Sequence, residues 1–300
     1  MHVSVVIPVY NDLERLLMCL EALDRQSLRR DSYEVIVVDN GSDDAQVPTE
    51  LVSRFPFVKL YSESEPGAYA ARNRGLLMAK GDLIAFTDAD CVPEPDWLEN
   101  AVGHFARNPN CAVLAGDIHV VRGTKRRAVE IYEEAVAFNP ESLLEKQGYG
   151  VTANLFATRE VFERVGHFDA GFKSGGDLEW GQRVKALGFE QLFGAKVLVK
   201  HPAMSSVAQL YGKSRRLAGG KYHLIVGVQE RWFARQVAFL KMSLRDLVAL
   251  PLALAFHLTL DRRVRGFENR LKYAGVAVWV RGVALSENVR LHLGKPAFRG

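Results

Sequence analysis

The sequence has few of the features that mark a secreted, zinc-binding or membrane-spanning protein. Its 300 residues include only three cysteines, Cys19, Cys91 and Cys111, and no CxxC pair. Isolated cysteines provide neither a disulfide framework nor a zinc site, so we expect reduced thiols and a cytoplasmic location. The opening MHVSVVIPVYND has no basic segment ahead of an apolar one, so we expect no signal peptide.

Two phosphate-binding motifs are absent as well. No GxGxxG follows the first apolar run, and no GxxxxGK[ST] occurs in the chain, which argues against a dinucleotide dehydrogenase and a P-loop NTPase. The most apolar stretch, LVALPLALAFHLTL at 247–260, is shorter than the ~20 residues that a membrane-spanning helix needs. It predicts either an interfacial helix with basic flanks or a buried helix of a small C-terminal subdomain.

Acidic residues are scarce in the last third of the chain. Residues 201–300 carry 17 Lys and Arg against 5 Asp and Glu, a formal charge of +12, whereas residues 1–200 carry 22 against 30, or −8. Such an asymmetry predicts an anionic partner for the C-terminal third, with a solvated basic face as the alternative. We expect peripheral contact with the inner face of a membrane there, and no nucleic-acid partner.

Short apolar runs rich in Val and Ile are what the sequence has in abundance. They lie at 3–10, 34–40, 58–63, 83–90 and 111–121. The early runs do not alternate apolar with polar residues, which is typical of parallel strands buried on both faces. Helical patterns separate the first of these runs, at 12–26, 45–54, 68–80 and 95–107. This order predicts an α/β fold with a mostly parallel central sheet flanked by helices, followed by a helical, basic C-terminal extension.

The stretch LIAFTDADC ends one of these strands with two carboxylates, Asp88 and Asp90. Ligands of such sheets bind beyond the carboxyl ends of the strands, where YND, DNGSDD and SEPG also lie. Two neighbouring carboxylates near a core need a cation, and Mg²⁺ or Mn²⁺ combines few carboxylates with water and substrate phosphate. The pattern predicts a Mn²⁺ or Mg²⁺ site.

Four motifs together resemble the inverting glycosyltransferases of family 2, which have the GT-A (nucleotide-diphospho-sugar transferase) fold. VSVVIPVYND, VIVVDNGSDD and GAYAARNRGLLMAKGDLIAFTDADC occur in the family's order, and GGDLEWGQR follows. The resemblance covers 3–202 and implies a catalytic domain over 1–202 and a helical extension over 203–300. It also implies a nucleoside diphosphate sugar donor and a glycan or lipid-linked acceptor, as in cell-surface polysaccharide or glycolipid synthesis.

The resemblance implies roles for individual residues. The nucleoside pocket would be lined by Pro8, Tyr10, Asp39 and Arg72, with Arg72 holding the phosphate side or buttressing Asp88. Asp90 would be the direct metal ligand, Asp88 would contact the sugar or ribose or orient the metal's waters, and His201 would be a further metal ligand.

An inverting transfer needs a carboxylate that takes the proton of the acceptor hydroxyl. The family's Glu-Asp element corresponds to Gly176–Asp177 here, and its Arg to Arg183. Because Gly176 replaces the Glu, Asp177 and Glu179 are alternatives for the base, and we favour Asp177.

Two other functions fit parts of the sequence. LIAFTDADCV matches the DxDxV strand end of haloacid dehalogenase-type phosphotransferases, where the first Asp is a nucleophile. A sugar-nucleotide fold without catalysis, serving as a binding scaffold, is the non-enzymatic alternative.

Overall fold

The computed structural model describes residues 1–43, 50–121, 127–136, 139–204, 206–259 and 264–298. The chain divides into two compact units. The first comprises Met1–His119, Phe138–Gly171 and Gly176–His201, and the second comprises Val120–Ala137, Phe172–Gly175 and Pro202–Gly300. The predicted division after residue 202 stays a prediction, because the second unit also takes in two earlier segments.

Strands and helices alternate over residues 3–87, as the sequence predicts, and further strands and helices follow up to residue 202. The strands are β1 (Val3–Val9), β2 (Tyr33–Asp39), β3 (Val58–Ser62), β4 (Leu83–Thr87), β5 (Val92–Pro93), β6 (Cys111–Val121), β7 (Asn154–Thr158) and β8 (Glu190–Pro202). The α-helices are α1 (Leu13–Asp24), α2 (Glu50–Arg54), α3 (Ala68–Met78), α4 (Trp97–Arg107), α5 (Ala128–Ala135), α6 (Pro140–Gln147), α7 (Arg159–Val165), α8 (Gly176–Ala186), α9 (Val207–Tyr222), α10 (Trp232–Thr259) and α11 (Phe267–His292).

The strands form one mixed sheet in the order β3-β2-β1-β4-β7-β6-β8-β5. The first four strands of this order are parallel, with β1 paired to β2 and to β4. From β7 onward the characterised pairings are antiparallel. The carboxyl ends of the parallel strands therefore meet at one edge, which is where the sequence concentrates its polar residues.

The core of the first unit lies between the sheet and its helices. α1 buries Leu16, Leu20 and Leu23 on the sheet, as its 3.6-residue periodicity predicts. One buried polar residue, Asn154 on β7, accepts from Trp97 Nε1 at 2.8 Å and donates to the carbonyls of Asp117 and Val197 at 2.7 and 2.8 Å. These bonds join β7 to β6, to β8 and to α4, so they fix the antiparallel half of the sheet in register.

Several predicted boundaries differ from the observed ones. The apolar run at 151–157 predicts a strand, and the observed strand β7 begins at Asn154. AKVLVKHP predicts a last strand over 195–202, whereas β8 begins at Glu190, because it continues through polar and glycine residues outside that pattern. β5 was not predicted, since it has only two residues and is a strand by virtue of its pairing with Val199 and Lys200 of β8. Of the helix predicted over 45–54, residues 45–49 lie outside the described residues.

The second unit is helical and built from α5 and α9–α11, as expected for the C-terminal extension. Buried Glu133 pairs with Lys213 at 2.7 Å, and buried Glu287 pairs with Arg215 at 2.7 Å and Arg290 at 2.6 Å. Residues 247–259 of the apolar stretch form the end of α10, a 28-residue helix that continues through Pro251, and residue 260 lies outside the described residues. Among the described residues, no helix is both long and apolar enough to cross a membrane.

Candidate active site

Asp88 and Asp90 lie where β4 ends at the carboxyl edge of the sheet. Thr87 is the last residue of the strand, and the turn closes with Cys91 N–H donating to the Asp88 carbonyl at 3.0 Å. Ala89 is buried, so the two carboxylates project from a turn whose middle residue is packed in the core. The sequence places both residues at a strand end, and the structure has them there.

Asp90 faces two cationic or potentially cationic side chains from distant parts of the first unit. Its Oδ2 lies 3.5 Å from Arg15 Nη1 and 3.4 Å from His201 Nε2. Arg15 is itself oriented by Asp12, at 2.8 Å. Burial raises the pKa of Asp90, an effect that His201 and Arg15 oppose and that the neighbouring Asp88 increases. A further cation would favour the ionised form of this carboxylate.

The chemistry of these donors fits a hard divalent ion completed by substrate. Among the described residues, no three His, Cys, Asp or Glu side chains are grouped so that they hold a metal by themselves. Asp90 and His201 nevertheless bring a carboxylate oxygen and an imidazole nitrogen together, and Mg²⁺ or Mn²⁺ sites use one or two carboxylates plus phosphate and water. The ligand set Asp88, Asp90 and His201 stays a prediction.

Asp88 contacts a buried arginine of α3. Arg72 is only 4 % exposed, and its Nη2 donates to Asp88 Oδ1 at 2.5 Å. Arg72 Nε is buried without a hydrogen-bond partner among the described residues. Arg72 therefore contacts Asp88, and the two roles implied for it stay predictions. The next residue, Asn73, bonds both the N–H and the carbonyl of Phe168, at 3.1 and 2.8 Å.

A tyrosine connects this arginine to the predicted base. The Arg72 guanidinium lies 5.3 Å from the centre of the Tyr69 ring, and the Tyr69 hydroxyl donates to Asp177 Oδ1. Burial first, and then the Asp177 carboxylate, raise the pKa of Tyr69 well above its ordinary value, so the hydroxyl keeps its proton. The other carboxylate oxygen, Oδ2, accepts from Thr152 N at 3.1 Å and Thr152 Oγ1 at 3.2 Å.

We call the series Asp88–Arg72–Tyr69–Asp177 the site relay, meaning a chain of contacts. Its members come from the end of β4, from α3 and from the first turn of α8. A carboxylate in the first turn of a helix is stabilised by the helix dipole. The structure thus joins the predicted metal-binding turn to the predicted base, although 89 positions separate Asp88 from Asp177 in sequence.

The same tyrosine accounts for Gly176, the residue that departs from the family's Glu-Asp element. A Cβ atom at Gly176 would lie 2.8 Å from Cε2 and Cζ of the Tyr69 ring. Tyr69 is 5 % exposed and held by its bond to Asp177, so the ring has little room to move. Position 176 therefore cannot take a glutamate while Tyr69 keeps this position.

Glu179, the alternative base, has a different environment from Asp177. Arg183 binds both of its carboxylate oxygens, at 2.7 and 3.0 Å. Arg183 also donates to the carbonyls of Val165 and His167, at 2.6 and 2.7 Å. This pair fastens α8 to the segment after α7. Trp180, between them, is 1 % exposed and stacks on Phe162, so it belongs to the core.

Of the four residues implied for the nucleoside pocket, Arg72 is on α3, and the other three lie at the ends of β1 and β2. Pro8 is buried within β1, Tyr10 directly follows that strand and is 39 % exposed, and Asp39 ends β2 with its Oδ1 accepting from Ser42 N at 3.1 Å. Asn11, at φ +50°, ties the two loops together through bonds of 2.8 Å to Ser42 and 3.0 Å to Asp43. The nucleoside role of these residues stays a prediction.

Sequence reasoning missed Tyr69, Thr152 and Arg15. Each touches a predicted site residue from a distant position, and none belongs to a motif of chemical residues at a diagnostic spacing. Tyr69 lies inside the quoted GAYAARN block, three positions before Arg72. Residues three apart on a helix share a face, so this spacing could have predicted that Tyr69 lies on the same side of its helix as Arg72.

Comparison with solved structures shows the fold. The chain is similar to the mannosyltransferase PcManGT from Pyrobaculum calidifontis in complex with GDP-Man and Mn²⁺, with a TM-score of 0.63 and 21 % identity over 98 % of this chain and 88 % of that one. It is also similar to S. aureus TarS 1–349 in complex with UDP-GlcNAc, with a TM-score of 0.54 and 14 % identity over 98 % and 93 %. These are GT-A structures, and the predicted fold class is confirmed.

Comparison with curated sequences and with family profiles shows which family the chain belongs to. The chain is 33 % identical to glycosyltransferase AglE of Haloferax volcanii over 238 residues, which are 78 % of this chain and 77 % of the relative. The profile described as "Glycosyl transferase family 2" matches residues 4–174, more than half of the chain. These matches rule out the dehalogenase alternative, and the chain belongs to glycosyltransferase family 2.

Proposed function

We propose that this glycosyltransferase moves a sugar from a nucleoside diphosphate sugar to a hydroxyl of a glycan or lipid-linked acceptor, with inversion and with Mn²⁺ or Mg²⁺. The site relay is the observation that carries the proposal. It connects Asp88, at the proposed donor-binding end, to Asp177, the proposed base. A donor site and a base held by one set of contacts suit a reaction in which leaving group and nucleophile must be aligned.

The base in this proposal is Asp177. Three donors, the Tyr69 hydroxyl and the Thr152 N–H and hydroxyl, hold its two oxygens, and none of the three groups carries a positive charge. The carboxylate accepts the proton of the acceptor hydroxyl as the sugar is transferred. Glu179 is less suited to this role, because Arg183 binds both of its oxygens.

Asp90 and His201 are the proposed holders of the metal, with Asp88 beside them. A bound divalent cation would supply charge neutralisation on the departing diphosphate. Arg72 holds Asp88 in position through their ion pair, and Arg15 adds positive charge beside Asp90. Pro8, Tyr10, Asp39 and Arg72 are proposed for the nucleoside side. The GDP-Man and Mn²⁺ of the PcManGT complex support both the donor class and the metal.

The acceptor class is proposed from a relative. The chain is 25 % identical, over 68 % of both proteins, to a Methanococcus voltae enzyme named dolichyl N-acetyl-α-D-glucosaminyl phosphate 3-β-D-2,3-diacetamido-2,3-dideoxy-β-D-glucuronosyltransferase. That name describes a lipid-linked sugar as acceptor. We propose a corresponding role in polysaccharide or glycolipid synthesis at the cytoplasmic face of a membrane, and the three buried, free cysteines suit a reducing compartment.

The first experiment is a donor screen by thermal shift. UDP-, dTDP- and GDP-sugars are added to the purified chain with Mn²⁺, with Mg²⁺ and with EDTA, since a ligand that binds the native state raises the melting temperature by mass action. We expect one nucleoside class to stabilise the protein and EDTA to remove the effect. No shift with any donor would contradict the donor assignment.

The second experiment follows turnover of the donor so identified. Hydrolysis or transfer is measured for the wild type and for Asp177→Asn, and the anomeric configuration of the product is determined by NMR. An inverted product and an inactive variant support the proposal. A retained configuration would contradict the mechanism, and donor binding without turnover in the wild type would favour the binding scaffold.

A further inference from the structure

Helix α10 carries an exposed apolar stripe. Phe233, Leu240, Leu244, Leu247 and Val248 are 72, 67, 58, 59 and 55 % exposed. Their separations of 7, 11, 14 and 15 residues from Phe233 place them on one helical face. Leu254, at 36 % exposure, continues the same face by a further two turns. We call these six residues the α10 stripe.

The opposite side of α10 is the one that packs within the second unit. Met242 is 3 % exposed and clusters with Tyr222 and Val226. Asp246, the single acidic residue in the sequence of α10, is bound by Lys221 at 2.7 Å. The helix therefore has an inner face that the unit covers and an outer face, the α10 stripe, that stands in solvent. Contiguous exposed apolar surface of this kind marks an interaction site.

The charges beside the stripe are of one sign. Lys241 and Arg245 follow Leu240 and Leu244 by one position and lie along one border of the stripe, and both are exposed. Arg231 and Arg235, also exposed, lie near the helix start, where, among the described residues, Glu230 is the one exposed acidic residue beside them. An apolar face bordered by cations complements a surface with an apolar interior and anionic headgroups, and cations of this kind add attraction to anionic lipid.

We propose that the α10 stripe docks this protein on an anionic lipid bilayer, with α10 lying in the interface. The composition of the helix agrees with lying on the surface, because Lys241, Arg245 and Asp246 interrupt its apolar sequence near the middle. A second copy of the chain is the less suitable occupant. Two stripes packed together would bring Lys241 and Arg245 of one copy near the same cations of the other. The proposal does not depend on the chemistry of the active site.

Vesicle flotation of the full chain tests the proposal, with phosphatidylglycerol–phosphatidylcholine vesicles compared to phosphatidylcholine alone at low and high salt. We expect binding to the anionic vesicles that falls as salt rises. Leu244→Glu combined with Leu247→Glu should lower the partition coefficient at least about tenfold, and Lys241→Gln with Arg245→Gln about fivefold per cation removed. Leu217→Glu on α9, where Leu217 is 50 % exposed, is the matched control and should bind as the wild type does.

Trp232 provides a second signal in the same chain. It is 72 % exposed at the start of α10, whereas Trp97 and Trp180 are buried. Anionic vesicles should shift its emission to the blue, and Trp232→Phe should remove most of the shift. Equal binding to both kinds of vesicle, no binding at all, or unchanged binding by the stripe variant with native circular dichroism would each overturn the proposal. A concentration-dependent dimer that the stripe variant dissociates, with no vesicle binding, would assign the stripe to a second copy instead.

Discussion

Leu20 on α1 and Leu244 on α10 occupy the apolar faces of two amphipathic helices, yet Leu20 is fully buried and Leu244 is 58 % exposed. The charged residues differ in the opposite direction. In the first unit Arg72 is buried against Asp88, whereas on α10 Lys241 and Arg245 stand in solvent. Helical periodicity identifies the apolar face in both cases. Whether other residues bury that face depends on the rest of the fold. On α10, the described residues leave the apolar face exposed.

Among the changes to charged residues of the first unit, we expect the replacement of Asp90 to have the largest effect. We expect Asp90→Asn to abolish transfer and metal-dependent nucleotide binding, because the carboxylate facing His201 is the proposed metal ligand. Turnover and Mn²⁺ titration of donor binding measure both effects. Exposed Asp31→Asn, in the turn before β2, is the control and should behave as the wild type. Near-normal, EDTA-sensitive turnover by Asp90→Asn would show that the metal is held elsewhere.

Asp177→Asn should have the next largest effect. Loss of a general base lowers kcat by ~10²–10⁴-fold, and donor binding should stay within a few-fold of the wild type. Glu179→Gln is the matched control: it removes the charge paired with Arg183, so it should reduce stability more than turnover. Steady-state kinetics and a donor titration separate the two variants. If Glu179→Gln were the more damaging change to kcat, the base would be Glu179.

Tyr69→Phe removes one hydroxyl from the site relay and keeps the ring. Hydrogen bonds to charged groups contribute about 1.5–3 kcal/mol, so kcat should fall about tenfold or more while the donor KM changes little. Tyr33→Phe is the control, because the Tyr33 hydroxyl is also buried and donates to the Leu23 carbonyl, which is not part of the site relay. It should lower stability without lowering kcat. Equal kinetic effects of the two variants would mean that Tyr69 is structural.

The two leucines themselves test the comparison of burial. Leu20→Ala leaves a cavity under the sheet and should cost about 2–5 kcal/mol of unfolding free energy. Leu244→Ala, on the exposed stripe, should change it by less than about 0.5 kcal/mol. Urea unfolding without lipid measures both. A large cost for Leu244→Ala would mean that the stripe is covered in solution.

The smallest expected effect concerns the thiols. Cys19, Cys91 and Cys111 are buried, and burial raises the pKa of Cys111 to about 12 and the pKa of the other two as well. A thiol reagent near neutral pH should label none of them in the native protein and all three in urea. Rapid labelling of native Cys19 or Cys91 would show that the sheet edge near Asp90 opens to solvent.

The sequence predicted the strands and helices whose hydrophobic pattern lies within their own segment. The continuous apolar runs predicted β1, β2 and β4, and the leucine spacing predicted α1. The position of Asp88 and Asp90 followed from the predicted end of β4. What escaped prediction rests on pairing across the chain. Tyr69 meets Asp177 across 108 positions, and β5 exists only through β8. The exposure of α10 was left between two alternatives, because an apolar run has the same pattern whether protein or lipid covers it.

The Tyr69 ring fills the space that a side chain at position 176 would need, so position 176 can gain one only if Tyr69 changes as well. Gly176→Glu alone should misplace Asp177, because the new side chain meets the Tyr69 ring at 2.8 Å. Combined with Tyr69→Ala, the same change should be tolerated better than either substitution alone predicts. Relatives that have glutamate at the equivalent of 176 should then have a residue smaller than tyrosine at the equivalent of 69. We therefore expect one of two combinations beside the proposed base: tyrosine with glycine, as here, or a smaller residue with glutamate.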